Sequence, residues 1–196
     1  MCVFSFVRYH FLFLLLWLSG LTRGTAHGQA PASAPAWVLA TTTTTGLVGS
    51  GGTIEAVATD AAGSVFVVGT FADTLRLGSH TLYSAGSADF FLAKYVPRTH
   101  TWAWAVRGGG RQSDAGHALA VQGGAVYVTG YVFGNVANAT LVTLGGSRLT
   151  LQPGAADAPP SADILVAKYL DQGDHAAFGW SEVGGGTRPD RARSLA

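Results

Sequence analysis

From residue 37 onward the chain alternates short apolar runs with polar, glycine-bearing stretches, and the runs have the length of strands. No window sustains a helical period over three turns. Residues 65–68, VFVV, and 90–93, FFLA, are apolar without interruption. A strand with one wet face alternates, so an unbroken apolar run needs cover on both sides. Between the runs, DAAGSV at 60–65 predicts a tight hairpin turn in which Gly63 supplies the positive φ. QGGAV at 122–126 is expected to make the same turn with two glycines.

The pattern occurs twice. VFVVGT at 65–70 matches VYVTGY at 126–131, and ADFFLAKY at 88–95 matches ADILVAKY at 162–169. WAWAVRGGGRQSDAGHALA at 102–120 matches FGWSEVGGGTRPDRARSLA at 178–196. The order is the same in both copies, which marks an internal repeat. The three pairs lie 61, 74 and 76 residues apart, so the second unit carries an insertion. It falls in GSRLTLQPGAADAPPSAD, whose Pro, Ala and Gly predict a surface loop. Each unit predicts four strands: EAVAT or HALAV, VFVVGT or VYVTGY, FFLAKY or ILVAKY, and WAWAV or FGWSEV. Four-stranded sheets covered on both faces are what a β-propeller stacks around its axis. The expected fold class is all-β: a partial β-propeller of four-stranded antiparallel blades over residues 37–196, about two to three blades in all.

Composition agrees and adds exclusions. Only 12% of residues are charged and 27 of 196 are glycine, which suits a turn-rich β protein. Residues 11–21, FLFLLLWLSGL, follow Arg8 and His10 and precede small and polar residues, the layout of a secretory signal peptide. Cleavage is expected after Ala26, leaving a Pro/Ala linker over 27–36; a site after Ala30 would leave Pro31 first, and an uncleaved anchor is the alternative. The apolar run is shorter than the ~20 residues that span a bilayer, so no membrane span is expected after cleavage. Cys2 is the only cysteine and leaves with the signal, which excludes disulfides and thiolate chemistry from the mature chain. Without Arg8 and Arg23 the balance is 10 basic to 11 acidic residues, with no footprint for nucleic acid.

The linked motifs VATDAAGSVFVVGTF (57–71), ADFFLAKY (88–95) and Trp104 with GGGRQSD (108–114), with their second copies, resemble the bacterial seven-bladed β-propeller repeat family called SBBP. That family's unit reads GNVYVTG, DAFVAKYD, then a Trp, GG and an Asp. VQGG at 121–124 departs from it by lacking the aspartate that Asp60 provides in the first unit. The resemblance implies a secreted or surface-attached bacterial protein that uses its propeller for binding. It carries no shared catalytic residues and no cofactor. Propellers take about 4–8 blades, so closure is expected to need further blades of the same chain or self-association.

Several residues invite chemistry. Asp114 and Asp190 occupy the same place in the two GGG loops; they could bind calcium, but acceptance of backbone N–H bonds between blades is expected. Ser113, Asp114 and His117 have triad residue types, but their spacing along one strand does not place three side chains in triad order. His80, His100 and His175 lack metal-ligand spacing. Trp102, Trp104 and Trp180 could stack on sugars, yet the recurrence of Trp104 as Trp180 favours packing. Lys94 and Lys168 are expected to snorkel to solvent. NAT at 138–140 fits the glycosylation acceptor pattern of a eukaryotic secretory route. No catalytic, cofactor-binding or metal residue is assigned. The expectation is a non-enzymatic binding or structural module whose partner is a protein or a glycan; the alternative is part of a propeller hydrolase or lyase with catalytic residues outside this chain.

Overall fold

The structure, a computed structural model, describes residues 52–134, 140–151, 161–186 and 188–195. The expected signal peptide, the linker and Asn138–Ala139 of the NAT motif lie outside these residues. Among the described residues every regular element is a strand. They are β1 (Gly52–Thr59), β2 (Val65–Leu77), β3 (His80–Val96), β4 (Thr101–Gly109), β5 (Ala115–Gln122), β6 (Ala125–Phe133), β7 (Thr140–Leu144), β8 (Ser147–Leu151), β9 (Ala162–Asp171) and β10 (Ala176–Gly184).

All eight strands of the repeat form, in two antiparallel sheets. The first has the order β1-β2-β3-β4-β7-β8 and the second β10-β9-β6-β5. The β1–β2 and β5–β6 turns use Gly63 at φ 81° and Gly123 and Gly124 at 55° and 80°. Asp60 Oδ1 fixes the first turn by accepting the N–H groups of Ala62 and Ser64.

Sequence identity between the units becomes identity of register. One residue is bulged between the first two strands of each sheet: Glu55 in one, His117 in the other. A second bulge falls at Ala103 between β3 and β4 and at Gly179 between β9 and β10. Lys94 therefore pairs with Trp104, and Lys168 with Trp180. Gly69 and Gly130 also correspond. A Cβ on either would collide with the backbone of the strand before it, at Thr53 and Ala115 respectively.

The stretch expected to be a loop is not all loop. Ser147–Leu151 is strand β8, hairpinned to β7 through Gly145 and Gly146 at φ 53° and 90°. The alternation Leu149, Leu151 is enough for a short strand once a two-glycine turn brings β7 beside it. Residues 152–160 lie outside the described residues. The first unit has the same hairpin, formed by the far ends of β2 and β3. They bend at Asp73 (φ 58°) and turn at Gly78 (φ 59°), next to Trp102. Gly145 lies equivalently against Phe178. The second hairpin also hydrogen-bonds to β4 through Gly108 and Gly109, which makes the first sheet six-stranded instead of four.

The main core lies between the two sheets. Phe66, Val68, Phe90 and Leu92 of the first face Val126, Val128, Leu165 and Tyr169 of the second, with Val142 and Leu144 of the hairpin. The sheets approach closest at β5 against β1 and β2, while β10 and β4 meet sparsely. A smaller core, with Val67, Phe71 and Phe91, lies under the hairpin residues Leu75 and Leu77 on the first sheet's other face.

Candidate functional site

Phe66, Lys94 and Trp104 stand in one row across β2, β3 and β4, because they are register partners and share a face. The Lys94 ammonium lies 5.6 Å from the Phe66 ring centroid, and the Phe66 and Trp104 rings are 5.9 Å apart. The row is closed by Asp171, at the end of β9 on the other sheet. Lys94 Nζ donates to Asp171 Oδ2 at 2.5 Å, and Trp104 Nε1 donates to Oδ1 at 2.9 Å. Gly173 N–H donates to Oδ1 as well. Burial works to raise the Asp171 pKa, but the bonds from Lys94, Trp104 and Gly173, with the charge of Lys94, hold it below the usual carboxylate value. Lys94 is thus buried and ion-paired, not snorkelling: the second sheet seals the route to water, and Asp171 supplies the counter-charge.

The GGG loop is built around two carboxylates. Asp89 Oδ2 accepts from Arg107 Nη1 at 2.5 Å and from Ala85 N–H at 2.7 Å. Asp114 Oδ2 accepts from Gly110 N–H at 2.6 Å, and its Oδ1 from Phe133 N–H at 2.8 Å, where the second sheet ends. Gly109, at φ 152°, passes beside Asp89; a Cβ there would strike that carboxylate. Burial raises both pKa values. That of Asp114 is pushed up to about 7, with the Asp89 charge adding to burial and the two N–H bonds opposing it. The set offers two carboxylates with a guanidinium already on one, a poor match to the six to eight oxygens calcium takes.

The second unit repeats the loop with Asp163 and Asp190. Asp190 Oδ2 accepts from Gly186 N–H at 2.8 Å, and Asp190 N–H donates to Ala162 O, as Asp114 N–H does to Ala88 O. Asp114 therefore joins the first sheet, at Ala88 O, to the second, at Phe133 N–H, while the bonds of Asp190 run to its own loop and to the start of β9.

The other sequence candidates are dispersed. Asp114 is occupied by backbone donors, while the His117 ring lies 5.5 Å from that of Tyr131; no hydrogen bond joins Ser113, Asp114 and His117 among the described residues. Trp102 packs edge-on against Tyr95, and Trp104 is 3% exposed. Only Trp180 of the three is open, at 42%. Asp89, Arg107 and Asp171 escaped the sequence reading. One signal for Asp171 is present: an aspartate follows AKYL in the second unit, where the first has Pro97. No family model, curated protein or solved structure matches the chain.

Proposed function

We propose that the chain is a secreted, non-enzymatic β-propeller repeat module of the SBBP type, acting in binding or as surface structure toward a protein or glycan. The observation carrying this reading is the recurrence of one hydrogen-bonding scheme in two face-packed sheets. Bulges, Lys–Trp pairs and aspartate turns all recur at corresponding positions. The close approach of β5 to β1 and β2, with β10 and β4 meeting only sparsely, supports reading the two sheets as neighbouring blades around an axis. The carboxylates with chemical promise are engaged as acceptors of backbone N–H, Arg or Trp donors, which suits a scaffold better than a reaction centre.

The test is capture by the full chain on glycan and surface-protein arrays, with the retained ligand recovered and analysed by mass spectrometry. Retention of an unaltered ligand is expected. A ligand returned hydrolysed or eliminated would overturn the non-enzymatic reading. Secretion is checked separately, by finding a mature N-terminus at residue 27 in the extracellular fraction.

A further inference from the structure

The second sheet repeats the first sheet's row of aromatic, lysine and tryptophan but not its closure. Tyr127, Lys168 and Trp180 are register partners across β6, β9 and β10. The Lys168 ammonium lies 5.6 Å from the Tyr127 centroid, the same distance as Lys94 from Phe66, and the Tyr127 and Trp180 rings are 6.4 Å apart. No carboxylate pairs with Lys168 among the described residues, and both Trp180 and Leu170 are exposed.

We propose that this face is a docking surface for one more sheet of the same repeat, bearing an aspartate at the position of Asp171, whose carboxylate bridges Lys168 and Trp180. The inference rests on the propeller reading above and adds to it the chemistry by which one sheet selects the next. Charge complementarity identifies the occupant: among the described residues the face presents an ammonium without an ion-pair partner and an indole in the same register pairing, Lys168 with Trp180, that in the first row puts Lys94 and Trp104 on one carboxylate. A second copy of this chain is a poor occupant. Its Asp171 is already held by its own Lys94, and its first sheet has Pro97 at that position.

The C-terminal residues support the direction of docking. Gly116, at the start of β5, packs on the first sheet at Val68 and Phe90. Ala192 is its counterpart in the repeat, and its N–H donates to Gly130 O, while the Arg191 guanidinium lies 4.6 Å from the Tyr131 centroid. Residues 190–192 thus enter the second sheet's surroundings where 114–116 enter the first's.

The test lengthens the full chain by repeating residues 114–196 in frame after residue 189, which supplies a second copy of Asp171. Acetylation of Lys94 and Lys168 is then followed by mass spectrometry. In the unextended chain Lys168 is expected to react roughly tenfold faster than Lys94, or more, because only Lys94 holds a charge-assisted bond in a buried site. In the extended chain Lys168 is expected to slow to the rate of Lys94, and an Asp→Asn change in the added copy to restore it. An independent arm uses Asp171→Asn in the unextended chain, which should raise Lys94 to the rate of Lys168. A Lys94 rate unchanged by Asp171→Asn overturns the latch whether or not an added unit folds. An unextended chain that dimerises with Lys168 protected makes a second copy the occupant and overturns the proposal. If the amides of β10 gain exchange protection on extension while the added aspartate has no effect, the stacking of blades stands and the latch falls. If neither β10 nor Lys168 gains protection, both fall.

Discussion

Lys94 is tolerable in the core only because Asp171 meets it there. Removing that carboxylate strands an ammonium and an indole N–H between the sheets, and breaking a buried pair in this way costs about 3–5 kcal/mol. Asp171→Ala is therefore expected to lower the unfolding free energy by about 3 kcal/mol in urea titration. Lys94→Met with Asp171→Leu, which removes both charges, should recover most of the loss. The carboxylates also set opposite slopes with pH. Asp171 has its pKa depressed, so its contribution is present above the ordinary carboxylate value of 3.8 and is lost as pH falls through its lower native value. Asp114 is raised from 3.8 to about 7, so the native state holds the extra proton; stability is greatest at the acid end of that window and declines as pH rises through it. Chemical denaturation between pH 4 and pH 8 should show this decline. Asp114→Asn should flatten it and lower stability throughout, since one amide oxygen replaces two oxygens that accept N–H bonds.

At the scale of elements, the close approach of β5 to the first sheet gives a paired prediction. A Cβ at Gly116 would stand 2.5 Å from Val68 Cγ2 and 3.4 Å from Phe90 Cβ, whereas nothing lies within 4 Å of one at Gly184. Gly116→Ala is expected to cost about 2 kcal/mol by overpacking, with Gly184→Ala near neutral, as read from thermal melts of the two variants. The eight repeat strands and their glycine turns were legible because apolar runs and positive-φ residues are local signals. The hairpin was not, because Ser147–Leu151 has the polar, glycine-flanked composition of a loop and becomes a strand through its partners. Lys94 and Lys168 make the same point: both sit in AKY, yet only Lys94 is sealed, by a sheet that local sequence does not reveal. The acidic character of the GGG loop was legible in Asp114, but its partner Asp89 comes from 25 residues away and needed the fold to bring it near.

For the whole molecule, protection should grade from the central strands of each sheet to its edges. The β3 strand lies between two hydrogen-bonded neighbours and is covered on both faces; β10 has one neighbour and an exposed burial pattern. Hydrogen exchange is expected to find β2, β3 and β6 slowest and the edge strands β1 and β10 fastest; equal protection of edge and central strands would contradict this order. The gradient bears on how such a chain emerges from a ribosome. Each unit brings a hairpin that sits on its own earlier face, so a nascent chain presents one bare face at a time, the trailing one. At roughly 5–20 residues per second, a repeat of this size keeps the first sheet's trailing face waiting for several seconds before the second sheet that covers it is synthesised. Until Asp171 arrives, Lys94 in the middle of that face makes it poorly sticky toward other apolar surfaces and receptive to a carboxylate in register, so the interval favours the correct neighbour over a stray one.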